Sequence, residues 1–248
     1  MNAEKVTKNL IEWIRIWFEE NGNGCNAIIG ISGGKDSTIA AKLCVEALGK
    51  DRVIGILMPN WEQKDIEDSK TVCNLLGIKY YIHNIQEAVN ATLHALNMQG
   101  VKPSQQTIVN LPPRIRMSTL YAYSQSLNGR VINTCNLSET MVGYETRWGD
   151  SVGDVSPLGN LTVTELLEIG DYLELPKELV HKTPIDGLNT HADGSYVTDE
   201  DNLGVTYFAI DTYLGKTDAT NSEEAASRIR TLIKNSEFKR KPIPTFKP

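Results

Sequence analysis

The 248-residue chain reads as an α/β protein built on a doubly wound parallel sheet flanked by helices. Three observations carry that reading. Short apolar runs rich in Ile and Val alternate with longer segments of helical period, which implies right-handed βαβ units and strands buried on both faces. A Gly-rich loop, Ser32-Gly33-Gly34-Lys35-Asp36-Ser37, joins the first apolar run to the helix that follows it. Composition is ordinary for a globular chain, with 40% apolar and 23% charged residues.

Taken in order, Val6, Leu10, Trp13, Ile14 and Trp17 fall at helical spacing, so residues 3–20 form an amphipathic helix. Asn21-Gly22-Asn23-Gly24 stops it, and Ala27-Ile28-Ile29-Gly30-Ile31 is the first strand. Ser37 to Leu48 is a helix ending at Gly49. The unit then repeats: strand Val53–Met58, helix Lys64–Leu76, strand Lys79–Ile82, helices Ile85–Leu96 and Arg114–Leu127, and strand Val131–Thr134.

The last third differs. Residues 135–160 are rich in Gly, Asp, Ser and Thr with little period, as expected of a functional loop. Thr162-Val163-Thr164-Glu165 is a capping box that starts a helix at Leu166-Leu167. Pro184–Asp201 is irregular, and Ser222–Lys234 is a closing helix. With no internal repeat and no low-complexity linker, residues 1–248 are expected to form one domain.

Net charge is −6, which disfavours a broad nucleic-acid face. Cys25, Cys44, Cys73 and Cys135 are scattered, with no C-x-x-C pair, so neither a zinc site nor a disulfide framework is expected. Free thiols suit a reducing cytoplasm. No apolar run reaches the roughly 18 residues that a membrane span needs.

The loop after the first strand carries the chemistry. In an open α/β sheet, ligands sit at the carboxyl ends of the strands. Gly33 and Gly34 let backbone amides approach a phosphate, Ser32 and Ser37 add hydroxyls, and the next helix offers unpaired N–H groups. Asp36 follows Lys35 where a Walker A loop has Ser or Thr. A carboxylate beside a polyphosphate is repelled unless a divalent cation lies between them, so Asp36 points to Mg2+.

This loop resembles the S-G-G-x-D-S phosphate loop of N-type ATP pyrophosphatases, the adenine nucleotide alpha hydrolase-like enzymes. Further residues are similar to one branch, the NAD synthetase family. They are Pro113-Arg114-Ile115-Arg116-Met117, Thr134 with Glu139, and Gly143-Tyr144-Glu145-Thr146-Arg147-Trp148-Gly149-Asp150. Asp154, Pro157-Leu158, Leu203-Gly204-Val205-Thr206-Tyr207 with Ile210-Asp211, and Glu237-Phe238-Lys239-Arg240 extend the resemblance from about Ile29 to Arg240.

The resemblance implies an ammonia-dependent ligase. ATP adenylates the carboxylate of deamido-NAD, and ammonia displaces AMP to leave NAD. It implies ATP contacts at Gly30, Ile31, Ser32, Gly33, Gly34, Lys35, Asp36, Ser37 and Thr134. It implies Mg2+ at Asp36 and Glu139, and deamido-NAD contacts at Arg114, Arg147, Asp154 and Lys239, with Asp36 and Asp154 as catalytic residues. It also implies a homodimer.

Four positions depart from the family pattern: Arg147 for Lys, Val163 for a Lys contacting ATP, Ile185 for Thr or Ser, and Phe238 for His. They keep two other readings in view. One is a thiolating or amidating enzyme of the same superfamily, acting on tRNA or a small molecule. The other is a nucleotide sensor without chemistry.

Overall fold

A computed structural model describes residues 1–61, 66–183, 185–190 and 196–247, with the backbone alone at 185–190 and 196. Helix α1 spans Ala3–Asn21 and is capped by the Asn2 side chain, which accepts from the Lys5 amide. Strand β1 (Asn26–Gly30) leads through the Gly-rich loop into α2 (Lys35–Leu48). Then come β2 (Val53–Leu57), α3 (Ile66–Leu76), β3 (Lys79–Ile82), α4 (Gln86–Met98), α5 (Gln105–Ser126) and β4 (Gly129–Ile132). The first two residues of the helix expected over Lys64–Leu76 lie outside the described residues.

The four strands form one parallel sheet in the order β3-β2-β1-β4. Strands 1, 2 and 3 run outward in one direction, and β4 returns to the other side of β1. The order therefore reverses between β1 and β4, and that is where an open α/β sheet leaves a crevice at its carboxyl edge.

The period-2 alternation of the strands explains the double winding. Ala27 and Ile29 of β1, with Val53 and Leu57 of β2, pack with Ile14 and Phe18 of α1 and Ile39, Leu43 and Cys44 of α2. Ile28, Ile54, Ile56 and Val131 face the other way, onto Val89 of α4 and Met117 and Leu120 of α5. Ile28 and Ile29 are both fully buried, on opposite faces, each worth about 2 kcal/mol of burial.

The remaining elements are α6 (Leu137–Val142), α7 (Val163–Tyr172), α8 (Lys177–Val180), β5 (Ile185–Thr190), β6 (Tyr196–Thr198), α9 (Asp199–Leu203), α10 (Tyr207–Tyr213) and α11 (Glu223–Arg240). Val142, Val163, Leu203, Tyr207, Ile210 and Ile229 gather them into a third apolar cluster. Helix α7 joins this cluster to the first, because Leu166 and Ile169 pack under the sheet while Val163 faces α10. Both halves of the capping box at Thr162 and Glu165 are made.

Three boundaries correct the sequence reading. Helix α5 begins at Gln105, nine residues before Arg114, with Pro112 and Pro113 inside it and Ser104 as its cap. The two prolines leave the carbonyls of Ile108 and Val109 without their helical donors, at residues that are 47% and 36% exposed. The stretch 184–201 is not irregular throughout: β5 and β6 pair antiparallel, and α9 follows from a Thr198–Asp201 capping box. Helix α11 runs on to Arg240 because that guanidinium folds back onto the Ile233 carbonyl, one bond among several to neighbouring turns.

Candidate active site

The loop between β1 and α2 is held open by its own side chains. The Ser32 amide donates to Ser37 Oγ at 3.2 Å, the two serine hydroxyls lie 3.1 Å apart, and the Gly34 amide donates to Ser32 Oγ at 3.2 Å. Gly33 has φ +81°, and a Cβ there would lie 2.8 Å from Asp68 Cβ and 2.9 Å from the Ser69 nitrogen. Only glycine fits that conformation at that distance from α3. The N-cap of α2 is Gly34, and no side chain caps the helix. Its first amides are thus left for an anion.

Asp36, in the first turn of α2, faces α6. Asn136 Nδ2 donates to Asp36 Oδ1 at 3.3 Å, while Asn136 Oδ1 accepts from the Glu139 amide at 3.0 Å. One side chain thus ties the loop after β1 to the loop after β4. Burial, then the charge of Asp36, pushes the Glu139 carboxyl up to about 8, against the pull of Lys35. A buried carboxyl raised by the charge of a neighbouring carboxylate forms with it a donor set for a hard divalent cation. Among the described residues no third His, Cys, Asp or Glu completes a metal-binding group, so phosphate oxygens and water would fill the remaining positions.

Lys35 does not point into the mouth of the loop. Its side chain is 5% exposed, and Nζ lies 3.0 Å from Asp36 Oδ2 and 5.5 Å from the Tyr207 ring centre. Burial works against its charge, but Asp36, Glu139 and Asp199 outweigh it and hold the ammonium above its ordinary pKa.

Beside the loop, at the β1/β4 reversal, is a cavity of about 340 Å3. Gly30, Ile31, Ser32 and Thr134 line it, together with Met58, Pro113, Arg116 and Asp150. That volume suits a nucleoside-sized group. Arg116 and Asp150 carry charge into the cavity, and neither was singled out from the sequence. Arg116 Nε donates to the Met58 carbonyl at 3.1 Å, and desolvation holds its guanidinium below the ordinary value. The signal was present in Pro113-Arg114-Ile115-Arg116-Met117, where one helical turn cannot aim both arginines the same way.

The expected acceptor contacts form a separate cationic group. Arg114 Nε donates to the Arg147 carbonyl at 3.3 Å. The Arg147 guanidinium sits 4.9 Å from the Trp148 ring and 5.5 Å from the Phe238 ring, and its Nε is buried without a partner. Lys239 Nζ donates to the carbonyls of Gly143 and Glu145 at 2.7 and 2.6 Å. Arg240 donates to those of Thr140 and Met141. The end of α11 thereby clamps the segment that carries Glu139. Gly143 permits this approach: it has φ +73°, and a Cβ there would lie 2.1 Å from Ser236 Cβ.

Asp154 stands apart. Its Oδ2 accepts from the Val131 amide at 2.8 Å and its Oδ1 from the Tyr121 hydroxyl at 3.2 Å. It closes the free edge of β4, next to the parallel bridge between Ile132 and Val155. The structure thus brings Asp36 and Glu139 together, and Gly30, Ile31, Ser32 and Thr134 together. It groups Arg114, Arg147 and Lys239, and it leaves Asp154 at the sheet edge. Of the departing positions, Val163 is buried in the third apolar cluster, Phe238 stacks on Arg147, and Ile185 lies where side chains are outside the described residues.

The family described as NAD synthase matches residues 6–243 of the chain. An NH(3)-dependent NAD(+) synthetase of Pyrococcus furiosus is 39% identical, with 97% of this chain and 93% of the relative covered. Among solved structures, an NMN synthetase from Francisella tularensis superposes with TM-score 0.88 at 33% identity, covering 99% of this chain and 98% of the other. An NH3-dependent NAD synthetase from Campylobacter jejuni superposes with TM-score 0.80 at 28% identity, both chains being covered completely.

Proposed function

The chain belongs to the NAD synthase family, and from that premise we propose that it amidates deamido-NAD with ammonia at the expense of ATP, releasing AMP and pyrophosphate. The observation that carries this reading is the Asn136 bridge, which sets the phosphate loop against the Asp36–Glu139 pair beside a nucleoside-sized cavity.

In this reading the cavity takes the adenosine of ATP, with Thr134 in its wall and Gly30, Ile31 and Ser32 at its floor. The amides of Gly33, Gly34, Lys35 and Asp36 and the hydroxyls of Ser32 and Ser37 hold the phosphates that leave. Asp36 and Glu139 hold Mg2+, which when bound neutralises the charge of the departing pyrophosphate. Arg114, Arg147 and Lys239 position the anionic groups of the acceptor, and Asp154, at the edge of β4, contacts it from elsewhere. A carboxylate oxygen of the nicotinate attacks the α-phosphorus while the bond to pyrophosphate breaks. Ammonia then attacks the acyl carbon, the bond to the AMP oxygen breaks, and a proton of the ammonia passes to water. Charge positioning is the main contribution of the chain to both steps.

A second reading concerns the acceptor. The Francisella tularensis NMN synthetase has the higher identity and TM-score of the two solved structures compared above. A deamidated mononucleotide carries the same nicotinate carboxylate and ends at its 5′-phosphate. Incubation with ATP, Mg2+, ammonium and either acceptor separates the two. Faster turnover of deamido-NAD, with AMP equal to NAD, supports the first reading. Faster turnover of the mononucleotide supports the second, and ADP as the nucleotide product overturns both.

We further propose one domain over residues 1–248, a homodimer, and a cytoplasmic location. Helix α7 shared between two cores supports the first. Four buried, unpaired cysteines suit a reducing compartment. No described helix is long and apolar enough to cross a membrane. Light scattering at two protein concentrations tests the dimer.

A further inference from the structure

Lys35 is a buried ammonium in a loop whose expected ligand is anionic, yet it is turned away from that ligand. Its Nζ is 3.0 Å from Asp36 Oδ2, and its side chain is 5% exposed. Two groups touch or cover it, Asp36 of α2 and the Tyr207 ring of α10, and the charges of Glu139 on α6 and Asp199 on α9 also act on it. An isolated buried charge is costly, and so are two carboxylates crowded together. Here each relieves the other.

We propose that Lys35 is a resident counter-ion of Asp36 within the Asp36–Glu139 pair, which holds that carboxylate in place in the metal-free protein and is displaced when a divalent cation binds. The proposal rests on the reading of those two carboxylates as metal ligands. It makes Lys35 a positioning residue that competes with the metal, and it separates Lys35 from the phosphate contacts its place in the loop suggests. In the exchange the ammonium leaves the Asp36 oxygen and keeps the Tyr207 face, and the incoming divalent cation takes its place on Asp36. A point charge on a flexible stem is suited to such a move, because its three donors have no fixed fork to satisfy.

Removing a competitor strengthens metal binding, whereas removing a merely structural side chain weakens it. The test is Mn2+ alone, titrated into the full-length protein without ATP, with free Mn2+ read by its electron paramagnetic resonance signal. Lys35→Met is expected to lower the Mn2+ dissociation constant at least tenfold and to lower the melting temperature in chelator. Lys35→Arg, which keeps the charge, is expected to stay near the parent affinity. Should Lys35→Met fail to fold without metal, Lys35→Gln serves for the same titration. Unchanged or weaker Mn2+ binding overturns the proposal. So does loss of ATP affinity with Mn2+ affinity unchanged, because Lys35 would then be a phosphate contact. Absence of Mn2+ binding in the parent protein and in every variant overturns instead the metal assignment beneath it.

Discussion

Asp211 is fully buried and holds two site-bearing helices together, so its removal is a sharp test of the fold around the site. Its Oδ1 accepts from the Ser138 hydroxyl, one residue before Glu139. Its Oδ2 accepts from the Thr164 amide at 2.8 Å and the Thr164 hydroxyl at 2.7 Å, which covers the first turn of α7. Ser138 Oγ in turn accepts from the Val163 amide at 3.0 Å. Asp211→Ala leaves the buried Ser138 hydroxyl and the part-buried Thr164 amide and hydroxyl without their acceptor. Each charge-assisted bond is worth about 1.5–3 kcal/mol, and breaking a buried network by removing one partner costs about 3–5 kcal/mol. The expected loss is therefore about 4 kcal/mol, or roughly 10 °C in melting temperature for a chain of this length. Urea unfolding in chelator checks it, with the slope held equal between parent and variant. Asp211→Asn keeps the shape and part of the acceptor capacity, and is expected to lose about half as much. Because Ser138 neighbours Glu139, the alanine variant is also expected to weaken Mg2+ dependence. A loss below about 1 kcal/mol for Asp211→Ala would refute the account of Asp211 as the pin between α6 and α7.

Gly33→Ala puts a Cβ 2.8 Å from Asp68 Cβ at φ +81°, so it is expected to cost about 2–3 kcal/mol and most of the activity, read by urea unfolding and by AMP release. Asp36→Asn keeps the Asn136 contact but halves the carboxylate pair. It is expected to lower kcat/KM at least a hundredfold and to abolish the melting-temperature shift that MgATP gives the parent protein. Asp150 faces solvent through the cavity, yet desolvation, opposed by the Thr146 hydrogen bonds, holds its carboxyl above the ordinary aspartate value. A raised folded pKa favours folding below the unfolded value and loses that contribution as pH rises through the folded one. The parent protein is therefore expected to lose stability, relative to Asp150→Asn, as pH rises above the ordinary aspartate range, and a difference that is flat with pH would contradict this.

The strands and the phosphate loop were legible because their signals are local. Ile28-Ile29 and Val53–Leu57 are apolar on both faces, and glycines punctuate the loop. The Thr162–Glu165 capping box was legible for the same reason, since it closes within one turn. The start of α5 was not, because Pro112-Pro113 is a strong local stop that an exposed stretch of backbone tolerates. Nor was the β5–β6 pairing, whose strands lack period-2 apolar patterning: Ile185-Asp186-Gly187-Leu188-Asn189-Thr190 carries too few apolar residues for its partner to be read. Within the site, Asp36 was found through its conflict with a phosphate. Asn136 was missed, since its role exists only where two loops meet across 100 positions. Lys35 shows the converse: its loop placed it on the phosphates, and its burial places it on Asp36.

The central claim is that the acceptor carboxylate attacks the α-phosphorus of ATP. Deamido-NAD labelled with 18O in its nicotinate carboxylate, turned over with ATP, Mg2+ and ammonium, tests this most directly. Mass spectrometry of the nucleotide product is predicted to show one 18O transferred into AMP for each NAD formed. Label in pyrophosphate or inorganic phosphate, or AMP free of label, would contradict it.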